Sequence, residues 1–396
     1  MVTLHRISEH PAWNLALNLL LDDSISEIES NGPDQFYLKK SGKRLHISSI
    51  DLETEEAYSD SVVSGLVPHI VTWEAFDPQG YIFEGPIRYQ VGDRMIRGRC
   101  HIVLPPAADY PQITIAKKST ALATLDAIAG KGSMASEMLA FVKACAAADM
   151  TTVLSGGTGA GKTTFLEAFT KELPMETRIG VAEDTPELTL LQPNTTYLHS
   201  VPWRPGMEEK DVASLSWVVA QFNRMRTDKV IVGETRGKEF ADFLVAANSG
   251  MEGSITTIHA DDPVRALTKM NNFALKGNPG QPVRSINIDI AQSIDVIIQL
   301  AYFKADSRYR VTAIQEITST IGVGEDATIA TNRLYTYNAD NDTWTKISNP
   351  TDALRQKFKQ HGVATDTFMK TQPGTILQPN GGGAEESPGG LPVRRV

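Results

Sequence analysis

Residues 155–164, "SGGTGAGKTT", set Gly156, Gly157, Gly159 and Gly161 ahead of a lysine and two threonines. Gly156 to Thr163 fit the pattern G-x-x-x-x-G-K-[ST] without a gap, and an apolar run, "TTVL", leads into it. Glycines let successive backbone N–H groups turn inward and approach phosphate oxygens. Lys162 would reach the outer phosphates, and the Thr163 hydroxyl would face Mg²⁺. The segment "KTTFLEAFTKEL" that follows reads as a helix, whose first turn adds the positive end of its dipole.

A phosphate cradle binds but does not hydrolyse. Hydrolysis needs a carboxylate able to position and deprotonate a water. Three later runs end in residues suited to that chemistry: "RIGVAED" in Glu183 and Asp184, "KVIVGE" in Glu234, and "SITTIHA" in His259. Glu234 is the candidate base, Glu183 its companion or a holder of Mg²⁺ through water, and His259 a sensor of the terminal phosphate. Taken singly, each has a plainer reading, a solvated glutamate at a strand end or a structural histidine. Their shared position at the ends of apolar runs is what joins them.

These runs are short, apolar throughout and separated by helical segments, which predicts a mainly parallel sheet buried on both faces, with ligands at the carboxyl ends of its strands. A helix over 135–150 opens this second domain. "IDVIIQLA" (294–301) and "YRVTAIQEIT" (309–318) extend the sheet, and a hairpin turns at Asp340-Asn341. Before it, residues 1–115 read as a smaller α+β domain. There, helical spacing runs from Leu15 to about Ile28, a hairpin turns at Ser41-Gly42, and strand-like runs continue through "HIVTWEAF" and "GPIRYQVGDRMIRGRCHIVLPP". Residues 116–134 read as the linker, 135–370 as the second domain with an extension, and 371–396, rich in Gly and Pro, as a disordered tail.

The chain has 396 residues, 41% hydrophobic and 21% charged, with a net charge of -9. That charge argues against a surface built to hold nucleic-acid backbone, so no stable nucleic-acid binding is expected. Cys100 and Cys145 form no paired motif, which suits a reducing compartment. No signal-like or membrane-length apolar run is present, and "AWNLALNLLL" (12–21) is interrupted by Asn14 and Asn18. A cytoplasmic protein, touching a membrane only at its surface, is the expectation.

In order, "SGGTGAGKTT", "EDTPEL", "NRMRTDKVIVGETRG" and "GSITTIHADDP" resemble the Walker A, aspartate-box, Walker B and histidine-box segments of the type II/type IV secretion ATPase superfamily. "NGPDQFYL" (31–38) and "RVTAIQEI" (310–317) extend the resemblance over most of residues 25–320, nearest the type IV secretion and tight-adherence pilus branch. The resemblance implies a RecA-like P-loop NTPase core with a smaller α+β domain before it, an α/β fold assembling as a homo-hexameric ring that uses ATP and Mg²⁺. Its partners would be inner-membrane components of a secretion, conjugation or pilus machine, with the ring peripheral at that membrane's inner face. Carried over by motif, Gly157, Thr158, Gly159, Ala160, Gly161, Lys162, Thr163 and Thr164 hold the nucleotide. Glu234, Glu183 and His259 serve catalysis, and Thr163, Glu183 and Glu234 serve the metal. Arg94, Arg97 and Arg99 would complete the site from the amino-terminal domain, with Arg226 and Arg236 given to ring contacts.

The sequence departs from the family pattern in three places. Met251 stands where a histidine is common, Thr227 where a proline is frequent, and Ala116 where relatives often carry an arginine that Lys117 would partly replace. Two other readings stay open: a P-loop DNA translocase or helicase, and a nucleotide-dependent assembly scaffold with little turnover.

Overall fold

Local chemistry sets the first elements. The computed structural model describes residues 11–33, 35–40, 43–47, 58–59, 62, 66, 81–91, 94–117, 123–201, 212–322 and 328–380. Helix α1, Pro11–Leu19, stops well short of the predicted Ile28, and Ile25–Ser30 is a strand, β1. The reason is the turn between them: Asp22 accepts hydrogen bonds from the Ser24 N–H and hydroxyl, a local closure that competes with helix. The Ser41-Gly42 turn and "HIVTWEAF" lie outside the described residues.

The chain divides into two compact units. The first comprises Met1–Leu122, Val181–Thr189 and Thr196–Gln221, and the second Ala123–Gly180, Leu190–Thr195 and Phe222–Val396. In the first, β2 (Phe36–Lys40), β3 (Lys43–Ile47), β4 (Ile82–Val91), β5 (Arg94–Val103) and β6 (Gln112–Lys117) join β1 in a six-stranded antiparallel sheet ordered β3-β2-β1-β6-β5-β4. Trp13, Leu17, Ile28, Phe36, Ile102 and Ile115 are in its buried core. Lys117, expected to stand in for an arginine at the phosphate, instead turns inward. Its Nζ donates to the carbonyls of Leu20 and Asp22, both at 2.7 Å, so the ammonium caps the carbonyls that follow α1.

The second unit is built round β7 (Thr152–Gly156), β10 (Lys229–Thr235), β11 (Ile255–Ile258) and β12 (Val296–Phe303). β7 pairs in parallel with β11 and β12, and β10 in parallel with β11. Every residue of β7 and β11 is buried, the pattern of strands covered on both faces. Within this unit the strand order is β16-β15-β14-β13-β12-β7-β11-β10, while the residues of β8 (Ile179–Glu183) and β9 (Thr195–His199) are divided between the two units. Beyond β12 the sheet becomes antiparallel through β13 (Arg308–Ile321), β14 (Thr328–Asn338), β15 (Thr343–Lys346) and β16 (Ile376–Leu377), and Asn338 faces Thr343 across the predicted hairpin turn.

Two expected boundaries differ from the structure. The predicted linker, residues 116–134, contains helix α2, Leu125–Gly130, capped by the Thr124 hydroxyl. The expected tail is folded as far as Asn380. Thr371 donates its hydroxyl to Glu137, β16 pairs with β15, and Lys346 Nζ meets Glu137 Oε1 at 2.7 Å in the interior. Low apolar content misled here because polar partners, rather than apolar burial, hold the segment down. Residues 381–396 lie outside the described residues.

Candidate active site

The loop after β7 turns through two residues of left-handed backbone, Gly159 at φ 74° and Gly161 at φ 85°, a conformation open to glycine without strain. Gly161 is the N-cap of helix α4, Lys162–Thr170, which comes after α3 (Ser136–Ala147) and β7. This places Thr163 and Thr164 in the first turn, and the N–H groups there lack helical partners and remain available to an anion.

Lys162 is buried and folded back over the loop. Its Nζ donates to the carbonyls of Gly156 at 2.9 Å and Gly157 at 3.1 Å and meets His259 Nδ1 at 3.1 Å. Since an ammonium can only donate, Nδ1 must accept, so the proton of a neutral His259 sits on Nε2. That nitrogen lies 2.7 Å from Glu234 Oε1, and the other carboxylate oxygen receives Arg236 Nη2 at 2.6 Å. Lys162, His259, Glu234 and Arg236 therefore form one polar chain.

The sheet aims these groups. Register shifts in β10 between Val232 and Thr235 against β11, an irregularity of the kind that re-aims side chains, and Glu234 lies within it. The Thr257 hydroxyl donates to the Gly233 carbonyl at 2.8 Å and the Thr235 hydroxyl to the Thr257 carbonyl at 3.2 Å, which pins the distortion. His259 follows the last residue of β11. Its carbonyl accepts Lys269 Nζ, while that of Ala260 accepts Gln299 Nε2 at 3.0 Å.

Burial pushes the Lys162 ammonium down to about 8, with Arg236 and Lys269 acting the same way against Glu234. Burial alone would raise the Glu234 carboxyl, but the Arg236 hydrogen bond and the charges around it hold it below its ordinary range. His259 is also lowered, chiefly by burial and then by the Lys162 charge, so the imidazole is neutral at neutral pH. An ionised carboxylate beside a neutral imidazole and a caged cation can orient and deprotonate a water next to an anion.

The other predicted residues are placed differently. Glu183, in the first unit, closes its own loop: Oε1 accepts the N–H groups of Glu187 at 3.0 Å and Leu188 at 2.9 Å. Arg99, on β5, has its Nε 2.5 Å from Glu187 Oε1, an engagement that the expected phosphate role did not include. Arg94 and Arg97 share that strand, with side chains outside the described residues. Arg236, assigned by resemblance to ring contacts, is a direct partner of Glu234. Two departures from the family pattern touch each other, the Thr227 hydroxyl donating to the buried Met251 sulfur at 3.4 Å. Lys269 and Gln299 had no signal in the sequence, because they act on backbone carbonyls that spacing does not reveal.

Among the described residues no cluster of three His, Cys, Asp or Glu side chains could hold a metal, and no helix is long and apolar enough to cross a membrane. The donors near the loop, a threonine hydroxyl and a carboxylate, are hard oxygens of the kind Mg²⁺ takes when most of its ligands are phosphates and water. They fit a metal that arrives with its substrate.

Comparison with known proteins agrees with this geometry. The chain is 32% identical over 211 residues to a protein of Mycobacterium tuberculosis named for conjugal transfer, covering 53% of this chain. The chain thus spans 59% of that relative's length. It is 26% identical over 288 residues to the conjugal transfer protein TrbB of Rhizobium radiobacter, covering 72% of this chain and 82% of the relative. Its fold matches the ATPase DotB of Legionella pneumophila with a TM-score of 0.53 at 17% identity, over 77% of this chain and 80% of that one. The family model for the Type II/IV secretion system protein matches residues 15–327, and the chain belongs to that family.

Proposed function

We propose that this chain is an ATPase subunit that drives a type IV secretion, conjugation or pilus machine, working as a homo-hexameric ring at the inner face of the inner membrane. The single observation that carries the reading is the Lys162–His259–Glu234–Arg236 chain beside a complete phosphate loop. The conjugal names of its relatives support the choice of machine, and its α/β architecture supports a RecA-like core.

In this reading phosphate oxygens take over Lys162 from the Gly156 and Gly157 carbonyls, and the first turn of α4 supplies N–H groups to the remainder. Bound with the nucleotide, Mg²⁺ would neutralise charge on the outer phosphates, held by Thr163 and, through water, by Glu234. Glu234 accepts a proton from a water whose oxygen bonds to the terminal phosphorus as the bond to the bridging oxygen breaks. ADP and phosphate leave, and the proton passes on to phosphate or solvent. His259 holds Glu234 from one side and Arg236 from the other. Glu183 is assigned to shaping the "EDTPEL" turn rather than to proton transfer or metal binding. Arg94, Arg97 and Arg99 stand as nucleotide contacts by family resemblance alone.

The test is phosphate release by the purified chain with ATP and Mg²⁺. Turnover that stops on chelation of the metal supports the reading. ATP binding without phosphate release would favour a scaffold with little turnover.

The depressed ammonium sets a pH dependence. A base whose pKa lies near 8 in the free protein is held protonated by bound phosphates, so binding takes up a proton above that pH. ATP affinity should hold steady from pH 7 to 8 and then weaken by about tenfold per pH unit. Titration calorimetry across pH 7–10 reads this, and a flat profile would contradict the placement of Lys162 at the phosphates.

A further inference from the structure

A cavity of about 170 Å³ opens beside the phosphate loop, roughly ten times the space one water needs. It shares Ala160, Gly161 and Thr164 with the loop but none of Lys162, Glu234 or His259. Those three residues mark where the terminal phosphate is attacked. The cavity therefore adjoins the opposite end of the cradle, where the inner phosphate and nucleoside must leave it. Its walls are mostly apolar, with Ile128 from α2, Phe165 from α4 and Leu300 from β12.

Tyr309 forms one side. Its ring lies against the loop so closely that a Cβ built at Gly161 would stand 3.1 Å from its Cδ1. Tyr302 faces it across β12 and β13, the ring centroids 4.9 Å apart, and holds it from behind. Tyr309 is nonetheless 48% exposed, an aromatic face left open at a ligand's edge. The next residue, Arg310, has a fully buried side chain. Its guanidinium meets Asp342 at 2.8 Å and Asp306 at 3.1 Å and donates to the Tyr309 carbonyl at 3.2 Å. The wall is thus fixed in place while its positive charge is balanced internally. Lys131 and Ser133 also line the cavity, so a flat ligand with an apolar face and polar edges suits it.

The geometry points to this cavity as the nucleobase subsite, in which Tyr309 stacks on the purine of the bound nucleotide. The inference rests on the ATPase reading and adds the residue that tells a nucleotide from a bare phosphate chain. Stacking on an aromatic ring is sensitive to removal of the ring and indifferent to the phenol oxygen.

The experiment compares ADP with inorganic tripolyphosphate by titration calorimetry on wild type, Tyr309→Ala and Tyr309→Phe. We expect Tyr309→Ala to weaken ADP about tenfold and to leave tripolyphosphate unchanged, with Tyr309→Phe matching wild type for both. If Tyr309→Ala binds ADP as wild type does, the subsite is elsewhere. Equal loss of ADP and tripolyphosphate would also overturn the inference, since it would mean that the ring merely props Gly161. Wild type that binds neither probe would instead remove the nucleotide-site reading on which the inference stands.

Discussion

Replacing Lys162 with alanine is expected to weaken ATP binding by about a hundredfold and to abolish measurable hydrolysis. A charged hydrogen bond to phosphate is worth about 3 kcal/mol when no other cation can take its place, which is about two powers of ten in affinity. Arg236 is engaged with Glu234 and Lys269 with the His259 carbonyl, so neither is placed to substitute. Hydrolysis suffers further because the same ammonium stabilises charge that grows on the terminal phosphate in the transition state. Equilibrium binding of a fluorescent ATP analogue, with circular dichroism confirming the fold, measures the effect. Retained affinity within about threefold would mean the loop holds something other than a phosphate chain.

The second large effect concerns Glu234→Gln, which is expected to keep ATP affinity and lower the hydrolysis rate by about a thousandfold. Glutamine preserves the shape, and its Oε1 can take the Arg236 hydrogen bond that Glu234 Oε2 now accepts. What it lacks is charge and basicity, and positioned general bases contribute about 10²–10⁴ to rate. Binding should survive because Lys162, the loop N–H groups and the nucleobase pocket are unchanged. The two variants therefore divide the site: Lys162→Ala loses binding and rate together, while Glu234→Gln loses rate alone.

Much of the framework of this site is legible in the sequence. The gapless glycine-lysine-threonine pattern required a strand, a tight loop and a helix, and β7 and α4 supply them. Continuous apolar runs ending in Glu234 and His259 required adjacent parallel strands, and β10 and β11 are neighbours. The hidden parts were those set by contacts distant in sequence or by backbone geometry. Lys117 looked like a spare cation and is held by two carbonyls about 95 residues away. Glu183 reads as a second acid, and spacing does not show that its Oε1 also closes a turn four and five residues on. Tyr309 gave no signal, since nothing in "SRYRVTAIQ" shows that its ring will lie over Gly161. At the amino end, the spacing from Leu15 to Ile28 mimicked a helix because Ile25 and Ile28 are both buried, yet they belong to a strand whose register shifts between Ile25 and Glu27.

The central claim is that Glu234, held between His259 and Arg236, deprotonates the attacking water on a nucleotide gripped by Lys162. Single-turnover phosphate release, with enzyme in excess over ATP and Mg²⁺ present, tests it most directly because product dissociation and ring cycling drop out of the rate. The account predicts release by wild type and about a thousandfold slower release by Glu234→Gln at equal ATP occupancy. Release by Glu234→Gln at the wild-type rate would contradict it.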